Sequence, residues 1–262
     1  MVDSNTEVPD TNRPKNALIT GASRRIGAAI ARSLSSQGVN VIIHHNDSGE
    51  EAQALATELE QMGGKAIALQ ADLTDIGSTR QLFDDAVNAL GPIDLLVNNA
   101  SVFEPDTALD FNEELWATHF AIHVQTPSIL SSQLAKQASL NEGLIVNLID
   151  QRVWNLNPTF YSYTLSKSAL WTATRTLAQS LAPRVRVNAI GPGPTLPNER
   201  QSQADFDRQV AGLPLEAAPR LEEFGETVLW LWQAKSVTGQ MIALDGGQHL
   251  AWQTPDIAGI NE

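Results

Sequence analysis

Short apolar runs recur along the chain at residues 17–19, 40–43, 66–69, 95–97, 144–148, 186–189 and 241–244. Each is too short for a helix and rich in aliphatic residues, as expected of strands covered on both faces. Between them the apolar spacing widens to three and four, as in Ile26, Ala29, Ile30, Ala31 and Leu34. The same amphipathic period marks helices over 50–61, 79–89, 115–137, 160–181 and 222–233. This alternation predicts an α/β fold, a doubly wound parallel sheet with helices on both faces. Ligands of such sheets bind beyond the carboxyl ends of the strands, at the point where strand order reverses. Asn98, Asp150 and Gly191 each directly follow a predicted strand, so they should converge there.

No internal repeat or composition break divides the chain, and residues 15–262 read as one domain. Residues 1–14 are polar and acidic, without the apolar core of a signal peptide, and read as a mobile N-terminal extension. Residues 195–219, rich in Pro and polar groups, read as an insertion over the site and a substrate lid. A length of 262 residues suits a single α/β unit, and a hydrophobic fraction of 42% is ample for its core. The net charge of −13 argues against nucleic acid or anionic membrane as a partner. No run approaches the roughly 20 apolar residues of a membrane span. Zero cysteines exclude disulfides and thiolate metal ligands and fit a reducing, cytoplasmic setting. No metal site is expected.

Two segments carry chemistry. Gly21-Ala22-Ser23-Arg24-Arg25-Ile26-Gly27 joins the first strand to the first helix. Glycines there let the backbone approach a pyrophosphate, which the helix N-terminus attracts. Tyr163 and Lys167 lie four apart in a helix and so share a face. An ammonium beside a phenol favours the phenolate, so Tyr163 is expected to exchange a proton near neutral pH, with Lys167 lowering its pKa.

Together with Asp72-Leu73, Asn98-Asn99-Ala100 and Gly191-Pro192-Gly193, these segments occur in the order and spacing of the classical short-chain dehydrogenase/reductase family. The chain resembles that family from about residue 15 to residue 250. The resemblance implies a Rossmann fold and a nicotinamide cofactor bound extended across the strand ends. Its pyrophosphate would lie over Gly21 to Gly27, with Ser23, Arg24, Arg25 and Ile26. Its adenine would sit near Asp72 and Leu73. Asn99, Ala100, Ser101, Pro192, Gly193 and Thr195 would line the rest, with Tyr163 and Lys167 at the nicotinamide ribose. The resemblance also implies a homotetramer.

In family members that prefer NAD an acid ends the second strand and accepts bonds from the ribose 2′-hydroxyl. The aligned residue here is His45, followed by Asn46, Asp47 and Ser48. Arg24, with His45 and Ser48 as donors, suits a 2′-phosphate, whereas Asp47 opposes one; NADPH is favoured. For His44 and His45 a strand end meeting solvent stands beside the ligand role.

Three departures from the family pattern narrow the reaction. Arg25 occupies a position usually held by glycine. Asp150 stands in place of the usual serine, and an ionised aspartate suits a substrate nitrogen that gains a proton better than a developing alkoxide. His123 replaces an asparagine, either as a proton relay or as a buried structural residue. With Asn99-Ala100-Ser101-Val102-Phe103, His123 to Pro127 and Leu244 to Leu250, these resemble the pteridine reductase branch. That resemblance implies NADPH-dependent reduction of a dihydropterin (dihydromonapterin, dihydrobiopterin or dihydrofolate) at its C=N bond. The substrate would stack on Phe103 and bond to Arg25 and Ser101, with Asp150, Tyr163 and Lys167 as the catalytic set. Reduction of a small ketone or 3-oxoacyl thioester is the alternative, and a non-catalytic NADP(H) sensor a further one. A ketone would need a neutral donor, for which Ser162 and Thr164 are offered, off the family position.

Overall fold

Each apolar run becomes a strand: β1 Asn16–Ile19, β2 Asn40–His45, β3 Ala66–Gln70, β4 Leu95–Asn98, β5 Gly143–Leu148, β6 Val185–Pro192 and β7 Met241–Leu244. In this computed structural model, which describes residues 12–197, 200–254 and 256, they form one sheet in the order β3-β2-β1-β4-β5-β6-β7. Every neighbouring pair is parallel. Ile19 pairs with Ile43 on one side and Val97 on the other, so the order reverses between β1 and β4.

Alternate residues feed opposite cores, as strand geometry requires. Ala17 and Ile19 join one cluster with Ile30, Leu34, Leu55 and Phe224, which are carried by α1 Arg25–Ser36, α2 Gly49–Glu60 and α8 Leu221–Gln233. Leu18 and Ile42 join the other with Phe83, Leu130 and Ala178, on α3 Ile76–Leu90, α5 Thr126–Lys136 and α6 Tyr161–Leu181. Each fully buried aliphatic side chain contributes roughly 1.5–3 kcal/mol. Arg186 of β6 caps the last turn of α8 by donating to Leu231, Trp232 and Ala234 carbonyls, which answers the C-terminal end of the helix dipole.

Three sequence expectations are modified. The helix expected over 115–137 is α4 Glu113–Phe120, a π turn at Ala121–Gln125, then α5. Pro127 lacks the N–H that would bond the His123 carbonyl, so the widened turn falls immediately before it. The lid segment contains a helix, α7 Gln203–Ala211, with Ser202 accepting from Asp205 N–H as its cap. Of the extension at 1–14, residues 1–11 lie outside the described residues, whereas Pro14 is buried. The Asp94 carboxylate accepts the N–H groups of Lys15 and Asn16 at 2.8 and 2.9 Å, tying the chain to the sheet there.

Candidate active site

The glycine turn after β1 has a shape only small residues allow. Gly21 has φ +60°, and a Cβ on Gly27 would lie 2.5 Å from Gly21 O and 2.6 Å from Asn99 Nδ2. Asn99 donates to Thr20 O and Gly21 O at 2.9 and 2.8 Å, so its amide braces the turn from beneath. The first turn of α1 has neither a side-chain cap nor an acidic residue, so no side chain answers its N–H groups.

Arg25 adopts φ 54°, the left-handed region, which explains why glycine usually stands there. A non-glycine residue pays about 1–2 kcal/mol for that conformation. Its guanidinium donates to Pro197 O and Leu196 O at 3.0 and 3.3 Å, tying the turn to the start of the lid.

The second-strand end splits. His44, for which a solvent-facing strand end stood beside a ligand role, is buried: its Nδ1 accepts the Gly21 N–H at 3.0 Å and its Nε2 donates to Ala71 O at 3.1 Å. That pair of bonds makes it a neutral strut between the glycine turn and the end of β3. Burial pushes its pKa down to about 4. His45 is half-buried, and its Nδ1 has no partner among the described residues. Ser23 and Ser48 hydroxyls are 2.6 Å apart, and exposed Arg24 reaches Glu51 at 3.8 Å. Asp72 turns its carboxylate to Thr74, whereas Leu73 is buried and its carbonyl accepts from Thr126.

The chemistry sits where β5 ends. Asp150 accepts the Arg152 N–H at 2.9 Å and the Tyr163 hydroxyl at 3.0 Å. The start of α6 is held by Asp106, whose carboxylate accepts the Ser162 N–H at 3.0 and 3.2 Å. Lys167, 2% exposed, shares the inner face of α6 with Tyr163, but its ammonium donates to Leu148 O at 2.8 Å. Burial lowers its pKa to about 8.

One electrostatic expectation reverses. Burial first, and then Asp150, push the Tyr163 phenol well above its ordinary value rather than below it. The carboxylate closest to the phenol outweighs an ammonium turned towards a carbonyl. Burial likewise raises the Asp150 carboxyl, opposed chiefly by Arg152. Burial therefore favours the protonated form of each group, and Asp150 adds to that effect on the phenol.

His123 resolves as a buried strut. Ser166 donates to Tyr163 O at 2.8 Å, so it accepts from His123 Nδ1, also at 2.8 Å. His123 Nε2 is then an acceptor, 3.0 Å from the Ser101 hydroxyl and 3.3 Å from Val102 N–H. Burial, followed by the nearby Lys167, keeps the ring neutral. The π turn thus links the loop carrying Ser101 to the helix carrying Tyr163.

A cleft of about 190 Å³ opens above Tyr163. Among its lining are the expected Arg25, Ile26, Phe103, Asp150, Tyr163, Pro192, Gly193 and Thr195. The other expected residues are not in this lining: Gly21, Ser23, Arg24, His45, Ser48, Asp72, Leu73, Asn99, Ala100 and Ser101 lie at or after the ends of β1 to β4, and Lys167 on α6. Thr195 bonds back to Gly193 O at 3.1 Å. Phe103 has one neighbour stacked on it, Phe160, at 4.3 Å and 2° between planes, and it meets Tyr163 edge-on at 4.9 Å. Ser162 and Thr164 are spent on His119 and the Asn157 carbonyl, so neither is a donor in the cleft. Sequence reasoning missed Arg152, whose guanidinium lies 4.8 Å from the centres of both Phe103 and Phe160. It also missed the cleft glutamines 151, 201, 209 and 248. Only the position of Arg152 two residues after Asp150 marked it.

The chain belongs to the short-chain dehydrogenase/reductase family: a family model described as enoyl-(acyl carrier protein) reductase matches residues 21–249. It is similar to the solved structure of FolM alternative dihydrofolate reductase 1 from Brucella suis in complex with NADP, with 57% identity and a TM-score of 0.90, covering 94% of this chain and 99% of that one. It is 30% identical to a short-chain type dehydrogenase/reductase of Picea abies over 88% of this chain and 91% of the relative. It is also 30% identical to the 3-oxoacyl-[acyl-carrier-protein] reductase FabG of Staphylococcus aureus, over 90% of this chain and 98% of the relative.

Proposed function

We propose that this family member reduces the C=N bond of a dihydropterin with NADPH, and that dihydrofolate falls within its range. The observation that carries the reading is the buried Asp150 carboxyl hydrogen-bonded to the Tyr163 phenol. A ketone asks for a neutral hydroxyl donor at that place, whereas an imine nitrogen asks for a proton. The similarity to the Brucella reductase supports the same reading.

The residues present fit the cofactor. The uncapped first turn of α1 and the approach allowed by Gly21 and Gly27 suit a pyrophosphate. Arg24, Ser48 and His45, with its unpartnered Nδ1, suit a 2′-phosphate. When bound, NADPH supplies the hydride that reduces C6 of the N5=C6 bond. Lys167 presents a buried cation to the ribose, and Asp72, Leu73, Asn99 and Ala100 shape the adenine and nicotinamide ends. A planar ligand would stack on Phe103, whose ring also meets Phe160, Arg152 and Arg200, a contact worth about 1 kcal/mol. Arg25 and Ser101 bond the polar edge of the pterin. Asp150 and Tyr163 deliver their shared proton to N5, and residues 195–219 exclude water.

Assays of 7,8-dihydromonapterin, dihydrobiopterin, dihydrofolate and an acetoacetyl thioester, run side by side for NADPH oxidation, test this. Selective turnover of the pterins is expected. Turnover of the thioester alone would overturn C=N reduction and favour the carbonyl reading, to which the 30% identity with FabG lends weight. A homotetramer in the cytoplasm completes the proposal; among the described residues no helix is long and apolar enough to cross a membrane.

A further inference from the structure

Among the described residues of the cleft, one guanidinium nitrogen has no hydrogen-bond partner. Arg25 donates from both terminal nitrogens to the lid carbonyls of Pro197 and Leu196. In Arg152, by contrast, Nη1 is buried with no hydrogen-bond partner among the described residues. Asp150 accepts the backbone N–H of Arg152 rather than its guanidinium. A buried guanidinium nitrogen without an acceptor is costly, because its lost hydration is not replaced. Such a cost persists in a cleft when a ligand removes it.

The surroundings define that ligand. Phe103 and Phe160, each centred 4.8 Å from the guanidinium carbon, hold Arg152 by cation–π contact, which leaves its N–H edge for an acceptor. Gln201, Gln209 and Gln248 line the same cleft and add neutral amides, and among its described lining residues Asp150 is the one acid. The chain as a whole carries −13, so a cleft whose described lining has two arginines and one acid is a local positive exception.

We infer that Arg152 is a specificity-determining residue that binds an anionic group on the side chain of the substrate. A carboxylate or a phosphate meets the planar N–H fork of a guanidinium equally well. The inference rests on the dihydropterin reading and adds to it a preference: anionic side chains over neutral polyols. A guanidinium that served only to offset the Asp150 charge would act on every substrate alike.

The test compares wild type, Arg152→Met and Arg152→Lys on dihydrobiopterin, dihydrofolate and dihydroneopterin phosphate. The kcat/KM ratio of an anionic substrate to dihydrobiopterin is expected to fall about 30-fold in Arg152→Met, through KM. Arg152→Lys should restore part of it, and whichever anionic substrate shows the larger fall identifies carboxylate or phosphate. Equal losses on neutral and anionic substrates would overturn the inference. Inhibition by p-aminobenzoylglutamate, which carries carboxylates without a pterin, separates the two readings. Inhibition that weakens in Arg152→Met supports the anion site even if no pterin is reduced, an outcome that would sink only the reductase reading. Inhibition equal in both proteins, or absent from wild type, would overturn the anion site.

Discussion

The Tyr163 hydroxyl donates to the Asp150 carboxylate across 3.0 Å, joining the start of α6 to the end of β5. Both groups are buried, and burial raises the pKa of each. Their shared proton is therefore held inside the cleft until a basic substrate atom takes it.

Removing either partner should stop turnover by a different route. Asp150→Ala is expected to lower kcat for the dihydropterin by about 10²–10⁴-fold, with NADPH affinity retained in a fluorescence titration. Parallel loss of NADPH binding would assign Asp150 a structural role instead. Tyr163→Phe should also abolish most turnover, and near-native kcat in that variant would refute the proton-transfer assignment.

The backbone strain at Arg25 can be separated from its side-chain role. Arg25→Gly and Arg25→Ala both lose the guanidinium, but only alanine keeps a Cβ at φ 54°. The glycine variant should be more stable in urea than the alanine variant by about 1 kcal/mol. Both should show the same rise in KM, since both free the lid carbonyls of Leu196 and Pro197. Equal stabilities would mean that the turn relaxes around the side chain.

Gly27 leaves no such latitude. A Cβ there meets the Gly21 carbonyl, Asn99 Nδ2 and Ala22 Cα within 2.8 Å, two of them backbone atoms. Gly27→Ala should cost about 1–3 kcal/mol by overpacking and displace α1 from the turn. Calorimetry should show the lower Tm, and NADPH titration the weaker binding.

His44 sets a pH limit on stability. Its pKa is lowered to about 4 in the folded chain, so between pH 4 and the ordinary histidine value the unfolded state binds more protons. Stability from this residue is complete above about pH 6.5 and is lost as pH falls, by about 2 kcal/mol at pH 5. Urea unfolding at pH 7.5 and 5 should show this loss, and His44→Gln should lack that increment. An identical pH dependence in the variant would remove His44 as its source.

Much of the fold was legible along the chain because its signals are local. Seven apolar runs lie within the seven strands, and the 3.6-residue period marked helices on both faces of the sheet. The π turn was not visible, since the apolar period runs on through Pro127. Gly21, Asp150 and Tyr163 were readable as chemistry, because residue type and spacing alone limit what such residues can do.

The state of those groups was settled by tertiary contacts. Whether Lys167 or Asp150 governs the phenol depends on which polar group lies nearest after packing, and the ammonium turns to Leu148 O. His44 and His45 are adjacent and chemically alike, yet one is a buried strut and the other stands at a half-buried strand end. Arg152 gained its place from Phe103 and Phe160, about fifty residues before it and eight after. Sequence determined the backbone periodicity and the inventory of reactive groups. Burial, and with it proton affinity and unmet hydrogen bonding, arises only when distant segments exclude water together.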